Sequence, residues 1–279
     1  MNDIPPSAVP NDKDTAARTA TSCRLCDATA DAVFTLDLIA THHVQYYCCT
    51  HCGSLQTEPP YWLEEAYSNS NLAMLDTGVA QRNMSNLAAV YAWVKLTGVR
   101  TVVDVGGGDG LLCRLLRDYR IDARLEDRYA RNTYAQGFEN DERSSPVLYT
   151  AFEVLEHYAD PKRDLGMLFD SGPDSVVVTT ALYEGQGANW WYLTPDSGQH
   201  VFFYTRKAMS IIAARFGYVV DFAGNYTIFS KKRPSQLAIF AARIAMGGIG
   251  TRLLRSALML LPARGAITDF EQIARRSAD

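Results

Sequence analysis

A glycine-rich turn between two apolar segments constrains the fold of this chain most. The run VRTVVDV at 99–105 is short, apolar and β-branched, which is typical of a strand buried in a parallel sheet. The segment LLCRLLRDY at 111–119 repeats apolar residues at helical spacing. The sequence GGGDG at 106–110 joins them. A strand, a glycine turn and a helix in this order predict the nucleotide-binding half of a doubly wound α/β fold.

The acids around this turn indicate which kind of ligand it suits. The spacing is D-x-G-x-G-x-G, and its residues are Asp104, Gly106, Gly108 and Gly110, with Gly107 and Asp109 inside the turn. A dinucleotide site has G-x-G-x-x-G and holds a pyrophosphate at the helix start, where carboxylates would repel it. The pattern therefore argues against an NAD-dependent oxidoreductase. It favours a cationic ligand.

Three further segments carry candidate functional residues. Two of them have polar residues at the ends of predicted elements, and the third is rich in aromatic residues. The strand in DARLEDRYA ends on Asp127, where an ionised acid can accept hydrogen bonds from ribose hydroxyls, and Glu126 is the neighbouring alternative. The apolar run in VLYTAFEVLEHYADP leads into Glu153, Glu156 and His157, with Pro161 at a helix start. The segment ANWWYLTPDSGQHVFFYTRKAM at 188–209 is rich in aromatic residues.

These segments together resemble class I methyltransferases that use S-adenosylmethionine, from about residue 23 to residue 230. The E-V-L-E-H and W-W-Y-x-x-P-x-x-G-Q-H-x-x-F-Y segments resemble a subgroup with an N-terminal cysteine knuckle, associated with sugar and cell-surface glycan modification. The resemblance implies a Rossmann-like sheet and a set of cofactor-binding residues: Asp104, Gly106, Gly107, Gly108, Gly110, Asp127, Phe152, Glu153 and Glu156. Fewer than twenty residues separate EDRYA from PVLYTAF, so we expect a vestigial third strand. In the family, an acid after that strand contacts the adenine. Here the candidates to take its place are Glu139, Asp141 and Glu142.

The reaction that this resemblance implies needs alignment, exclusion of water and, for a hydroxyl acceptor, a base. His200 is the favoured base, with Tyr204 and Gln199 as positioning groups, and His157 is the second candidate. Either histidine could instead be hydrogen-bonded to backbone. We expect O-methylation of a sugar hydroxyl on a glycan or a nucleotide-linked sugar. The alternatives are sugar C-methylation and a non-catalytic scaffold that partners a glycosyltransferase. Sugar C-methylation is disfavoured because the resembling C-methyltransferases carry a long extra C-terminal domain, whereas only roughly fifty residues follow position 230 here.

Two C-x-x-C pairs near the N-terminus predict a structural zinc site. Their cysteines are Cys23, Cys26, Cys49 and Cys52. Four thiolates in two tight pairs suit tetrahedral Zn²⁺ with no open position for chemistry. Cys48 and His51 are possible replacements, but either breaks the symmetry of the pairs. The residues between the pairs leave room for a hairpin.

The remaining patterns give the domain organisation. We expect a disordered leader at 1–20, the knuckle at 21–58, a helical lead-in at 59–98 with Tyr67 near the cofactor, the catalytic core at 99–230, and amphipathic helices at 231–279. A net charge of −4 gives no reason to expect nucleic acid. The absence of a signal-like N-terminus predicts a cytoplasmic protein. Its last helices are expected to pack on the body or on a second copy, or to contact a membrane surface or a glycosyltransferase.

Overall fold

The computed structural model describes residues 20–68, 76–140 and 147–276. Its strands are β1 Ala20–Ser22, β2 Thr29–Leu38, β3 His42–Cys49, β4 Leu55–Thr57, β5 Thr101–Val105, β6 Asp122–Glu126, β7 Val147–Phe152, β8 Ser175–Thr179, β9 Phe202–Phe203, β10 Val219–Ala223 and β11 Tyr226–Ser230. Its α-helices are α1 Leu63–Ser68, α2 Val79–Thr97, α3 Leu111–Asp118, α4 Pro161–Phe169, α5 Arg206–Phe216, α6 Gln236–Ala245, α7 Gly248–Met259 and α8 Gly265–Arg276. Short 3-10 helices cover Leu155–His157 and Trp191–Leu193.

The main sheet has the predicted doubly wound α/β architecture. Its strand order is β10-β11-β8-β7-β5-β6, and the four strands from β8 to β6 are parallel. Strand β11 runs antiparallel to both neighbours, and the sheet ends with the antiparallel pair β10 and β11. Apolar side chains of α2, α3, α6 and α7 cover one face, and those of α4, α5 and the cysteine knuckle cover the other. Burial on both faces explains why β5 and β8 are continuous apolar runs.

Among the described residues between β6 and β7, the expected place of the third strand holds a single bridge. Next to β6, Glu139 forms a single parallel bridge with Leu125, through hydrogen bonds from the Leu125 N–H to Phe138 O and from the Asn140 N–H to Leu125 O. Glu139 itself accepts a hydrogen bond from the Asn132 side chain. Asp141 and Glu142, the other two substitutes for the adenine contact, lie outside the described residues.

The cysteine-rich segment forms a second sheet that it shares with the catalytic core. The order of this antiparallel sheet is β1-β2-β3-β4-β9, in which Leu55 and Gln56 pair with Phe203 and Phe202. Strand β9 directly follows the segment that contains His200. The knuckle therefore holds part of the candidate catalytic segment as one of its own strands.

A buried ion pair fixes the last helix against the body. In α8, Asp269 accepts hydrogen bonds from Nε and Nη2 of Arg117 on α3, at 2.8 and 2.7 Å, and one from Arg114 at 2.6 Å. Burial opposes ionisation of Asp269, but the bonds from Arg117 and Arg114 lower the pKa of its carboxyl. The guanidinium of Arg117 also lies over the Phe138 ring, 3.5 Å from the ring centroid. The helix thus packs beside the shortened third-strand region, which the sequence did not indicate.

Replacing this carboxylate should destabilise the fold strongly. In Asp269→Asn, Arg117 keeps its buried charge and loses its bidentate partner, which should lower the free energy of unfolding by about 3 kcal/mol. Urea unfolding measures the change. Glu271→Gln, an exposed acid on the same helix, is the matched control and should change stability little. Equal stability of both variants would show that α8 is not held by this pair.

Candidate functional site

The glycine turn is crowded by the protein itself at three of its four glycines. A Cβ built on Gly106 would lie 2.8 Å from the Val154 side chain, and one on Gly107 would lie 2.3 Å from Asp104 Oδ2. A Cβ on Gly110 would meet the backbone and side chains around Ala135. Gly108, which has a φ of +63°, faces open space. Tight packing under the turn therefore accounts for most of the glycines, and Gly108 marks where a ligand can approach the backbone.

Asp104 is a buried acid beneath this turn. Its Oδ1 accepts a hydrogen bond of 2.8 Å from the Thr150 hydroxyl, while Oδ2 is buried without a partner among the described residues. Burial raises the pKa of Asp104 to about 7, with a smaller contribution from the charge of Asp127. An unpaired buried carboxylate oxygen is costly unless a cationic ligand compensates for it. This chemistry fits a donor that carries a sulfonium and an ammonium group.

Asp127, directly after β6, is hydrogen-bonded to the glycine turn. Its Oδ2 accepts a 2.9 Å hydrogen bond from the Gly108 N–H, and its Oδ1 accepts bonds from the N–H groups of Tyr129 and Ala130. Since each carboxylate oxygen can accept two hydrogen bonds, Oδ2 still has capacity for a ribose hydroxyl. The alternative, Glu126, accepts a bond from the Asn140 side chain. The structure therefore brings Asp127, and not Glu126, to the glycine turn.

Two carboxylates converge on one tyrosine at the carboxyl edge of the sheet. Tyr192 Oη lies 2.9 Å from Glu153 Oε2 and 2.6 Å from Glu156 Oε1. Burial, and then the charge of Glu156, raises the pKa of Glu153. Burial likewise raises the pKa of Tyr192, so the phenol keeps its single proton. Glu156 Oε2 is buried with no partner among the described residues, and Glu153 has a positive φ of 55°, a strained conformation that is common at functional sites.

The two candidate histidines lie beside this cluster. The rings of His157 and His200 are in edge contact, with centroids 4.9 Å apart. The Nδ1 of His200 donates to Tyr192 O at 2.7 Å, and the Nδ1 of His157 donates to Gln199 O at 3.2 Å. Because each Nδ1 carries the proton, the lone pair of each neutral ring is on Nε2. Desolvation by the surrounding protein, and then the neighbouring His200, lowers the pKa of His157 to about 3.

These side chains also form a cluster that sequence spacing did not indicate. Glu156, His157 and His200 each offer a potential ligand atom, and these atoms lie within 4.8 Å of one another. Two of the three are adjacent in the chain, and the third arrives from a loop more than forty residues later. Tyr67 approaches from α1, where its ring stacks on Tyr129 and its hydroxyl lies 3.5 Å from His157 Nδ1. The lead-in segment thus reaches His157, and the position of Tyr67 near the cofactor stays a prediction.

Two predicted positioning groups do not join the cluster. Tyr204 is completely buried, and its hydroxyl donates to the Leu155 carbonyl at 3.2 Å. Its assignment as a catalytic residue is therefore corrected: the side chain supports the 3-10 helix that carries Glu156 and His157. The Gln199 side chain donates to Ala66 O and is also buried, so only its backbone carbonyl contacts a histidine.

The four predicted metal-ligating cysteines lie together. Their sulfur atoms are all within 4.8 Å of one another, with Cys23 and Cys52 at 3.7 Å and Cys26 and Cys49 at 3.6 Å. Tetrahedral zinc with bonds of about 2.3 Å would place sulfurs about 3.8 Å apart. The N–H groups of His51 and Cys52 point at Cys49 Sγ, which favours a thiolate there. The donor set therefore fits Zn²⁺, and Cys48 lies outside it.

Arg24 connects this knuckle to the histidine segments. The residue lies inside the first C-x-x-C pair, and its guanidinium donates to Ala159 O at 3.1 Å and to Val201 O at 2.6 Å. Those carbonyls follow His157 and His200 closely in the chain. Burial lowers the pKa of Arg24 to about 10, so it stays charged at neutral pH. The knuckle thereby fixes both segments of the candidate site.

A cavity of about 400 Å³ opens next to the cluster. It extends from Glu153 and Thr179, at the carboxyl edge of the sheet, to the N-terminal turns of α2 and α7. Three arginines line it: Arg82, Arg252 and Arg255. Buried Asn86 also lines it and accepts a hydrogen bond from the Tyr226 hydroxyl. The lining of the cavity thus includes one carboxylate, Glu153, and three arginines.

Comparison with known proteins identifies one family. Residues 66–221 match the model of a family described as "Methyltransferase domain". The methyltransferase domain of bacterial CtHen1 is 20% identical, with a TM-score of 0.39 over 53% of this chain and 98% of that chain. An O-methyltransferase family protein from Burkholderia thailandensis is 13% identical, with a TM-score of 0.45 over 63% of each chain. Human N-acetylserotonin methyltransferase is 17% identical, with a TM-score of 0.39 over 53% of this chain and 52% of that one. No curated protein sequence matches the chain significantly.

Proposed function

The chain belongs to the methyltransferase-domain family and is an S-adenosylmethionine-dependent methyltransferase, and we propose that it methylates a hydroxyl of a sugar that carries an anionic group. The observation that carries this proposal is the position of the histidine and carboxylate cluster at the carboxyl edge of the sheet, where Glu153 also lines a cavity that contains three arginines. Ligands of doubly wound folds bind at this edge. The sequence resemblance to sugar-modifying methyltransferases supports the same acceptor class.

The donor side is assigned to the glycine turn and its acids. S-adenosylmethionine, when bound, supplies a methyl group that its sulfonium already activates for in-line displacement. Asp104 supplies negative charge beneath the turn, Gly108 leaves the backbone accessible, and Asp127 holds the turn in place. Phe152, at the end of β7, and Glu153 continue the same edge toward the cavity. The chain thus binds and orients a cationic donor without a phosphate-binding turn.

His200 is the better candidate for the base. A general base works best with a pKa near the working pH, and a histidine with a pKa of about 3 accepts a proton poorly at neutral pH. This argues against His157 and leaves His200, whose Nε2 lone pair is available because its Nδ1–H is bound to Tyr192 O. In this assignment His200 Nε2 would accept the proton of the acceptor hydroxyl. His157 then keeps the neighbouring ring in position.

The cavity favours a sugar that bears phosphate over a neutral glycan. Arg82, Arg252 and Arg255 line the cavity, and arginine is well suited to bidentate binding of phosphate. Arg82 also pairs with Asp76. Glu153, which accepts a hydrogen bond from Tyr192, lines the same cavity. Trp191 is 74% exposed in the loop that carries Tyr192, so its ring is available to stack on a sugar face. A nucleotide-linked sugar combines both features.

Methyl transfer to candidate acceptors tests the proposal directly. The zinc-loaded protein is incubated with labelled donor and with nucleoside-diphosphate sugars or the matching neutral sugars. We expect turnover with the phosphate-bearing acceptors only. His200→Ala should lower kcat by roughly 10²–10⁴-fold because the hydroxyl proton then has no acceptor. Affinity for S-adenosylhomocysteine, measured by calorimetry, should be unchanged.

The controls separate the parts of this assignment. His43→Ala changes an exposed histidine of the knuckle sheet and should leave kcat unchanged. A large loss of kcat in His157→Ala but not in His200→Ala would reverse the assignment of the base. Turnover that yields a carbon-linked methyl group, read from the product by NMR, would favour sugar C-methylation. Intact donor binding without turnover on any sugar would contradict the acceptor class.

A further inference from the structure

Helices α6 and α7 expose apolar residues on the faces opposite to those that they bury. In α6, Leu237, Phe240 and Ile244 have spacing i, i+3, i+7 and are all exposed, while Ile239 and Ala242 pack into the body. Leu237 is 77% exposed. A helix that only covers a core has polar residues on its outer face. The apolar outer face of α6 therefore indicates a binding surface for a partner.

Helix α7 and the loop after it continue this apolar surface. Ile249, Leu253 and Leu260 have spacing i, i+4, i+11 and are 76, 68 and 86% exposed. Met259 and Leu261 are also exposed. Soluble proteins rarely leave so many large apolar side chains exposed in one segment unless the surface binds a partner. The docking segment, residues 236–261, is defined by these side chains.

The charge of this region indicates the partner. Residues 231–268 contain seven lysines and arginines and no aspartate or glutamate, whereas the whole chain has a net charge of −4. Exposed Lys232 and Arg233 precede α6, and exposed Arg264 follows α7. Some of the positive charge is used within the protein, because Arg243 pairs with Asp221 and Lys231 binds the Gly172 carbonyl. Arg252 and Arg255 line the cavity, which leaves Lys232, Arg233 and Arg264 for an external partner. Apolar faces flanked by unopposed basic residues complement an anionic lipid surface.

The lengths and angle of the helices favour a position on a membrane rather than across it. Among the described residues, no single helix is long and apolar enough to cross a bilayer; α6 and α7 meet that criterion only as a pair, which is bent by 77°. Two straight helices that meet at a bend define one plane, so both can lie along an interface. We propose that residues 236–261 dock this methyltransferase on an anionic bilayer surface, with the exposed side chains of α6 and α7 inserted among the lipids.

Vesicle flotation tests the proposal with the full-length, zinc-loaded protein. The vesicles are phosphatidylcholine alone or phosphatidylcholine with phosphatidylglycerol. We expect the bound fraction on anionic vesicles to exceed that on neutral vesicles by about tenfold at low salt, and to fall in high salt. The variant Phe240→Ser/Leu253→Ser should lose binding. Because both side chains are exposed, this variant should keep its folded circular dichroism spectrum and its affinity for S-adenosylhomocysteine.

Val33→Ser, which removes an exposed apolar side chain from β2, is the matched control and should bind vesicles like the wild type. Equal vesicle binding by the double variant and the wild type would overturn the proposal. Absence of binding to anionic vesicles would also overturn it. In that case, sedimentation that shows a dimer in the wild type and a monomer in the double variant would assign the same surface to a second copy of the chain.

Discussion

Loss of zinc from the knuckle should unfold the small sheet and remove most of the methyltransferase activity. We expect one zinc ion per chain in the purified protein and none in Cys52→Ser, which lacks one of the four clustered thiols. Binding of structural zinc can contribute on the order of 10 kcal/mol to folding, so the free energy of unfolding should fall by several kcal/mol. Activity should fall with it because Arg24, inside the first pair, holds the carbonyls of Ala159 and Val201. Elemental analysis, urea unfolding and turnover measure the three effects.

Cys48→Ser is the matched control for this prediction. Cys48 lies next to a proposed ligand, but its thiol faces the Gly53 carbonyl at 3.7 Å and is not part of the four-thiol cluster. The variant should keep zinc, stability and activity. Zinc that persists in Cys52→Ser would contradict the ligand set. Loss of zinc at full activity would contradict the connection through Arg24.

Replacing Asp104 should stabilise the unliganded protein and weaken its binding of the donor. The carboxyl is 2% exposed, and burial raises its pKa from 3.8 to about 7. At pH 8 the folded wild type carries a buried charge that Asp104→Asn lacks, so the variant should be more stable by up to roughly 4 kcal/mol. Affinity for S-adenosylmethionine should fall because the positive donor loses a negative neighbour. Urea unfolding and calorimetric titration measure the opposing changes.

The free energy of unfolding of the wild type and that of Asp104→Asn should depend differently on pH. Between pH 4 and pH 7 the folded wild type binds one proton at Asp104 that the unfolded chain has lost, so its stability falls as the pH rises through this window. Asp104→Asn should lack this decrease, and the two proteins should have similar stability near pH 4. Asp109→Asn, at an exposed acid of the same turn, should keep the wild-type dependence. A parallel pH profile for Asp104→Asn would show that Asp104 does not carry the buried proton.

Much of the fold follows from local patterns in the sequence. The apolar run before the glycines and the helical repeat after them form the strand and the helix predicted for them, since each pattern matches one regular structure. The four cysteines come together because two tight turns can place thiols at only a few geometries. The strand, the helix and each C-x-x-C turn depend on residues that are close together in the chain.

Contacts between distant residues could not be predicted in this way. Tyr192 lies between Glu153 and Glu156 only because its loop folds back over the carboxyl edge of the sheet. Tyr204, directly after β9, lies in the core, although the sequence predicted it as a positioning group at the site. Asp269 and Arg117 are more than 150 residues apart and show no pattern that links them. Such pairs are fixed by tertiary packing, which a local pattern does not encode.

The shared strand β9 has a consequence for the order in which the chain can fold during synthesis. Strand β4 at Leu55–Thr57 has its outer partner at Phe202–Phe203, so almost 150 residues must be made before the N-terminal sheet can close. Until then, the edge of β4 exposes unpaired backbone groups on the ribosome-bound chain. Closing so long a loop is slow, and contacts of this kind delay folding. The cysteine-rich sheet is therefore completed only after most of the catalytic core has been made.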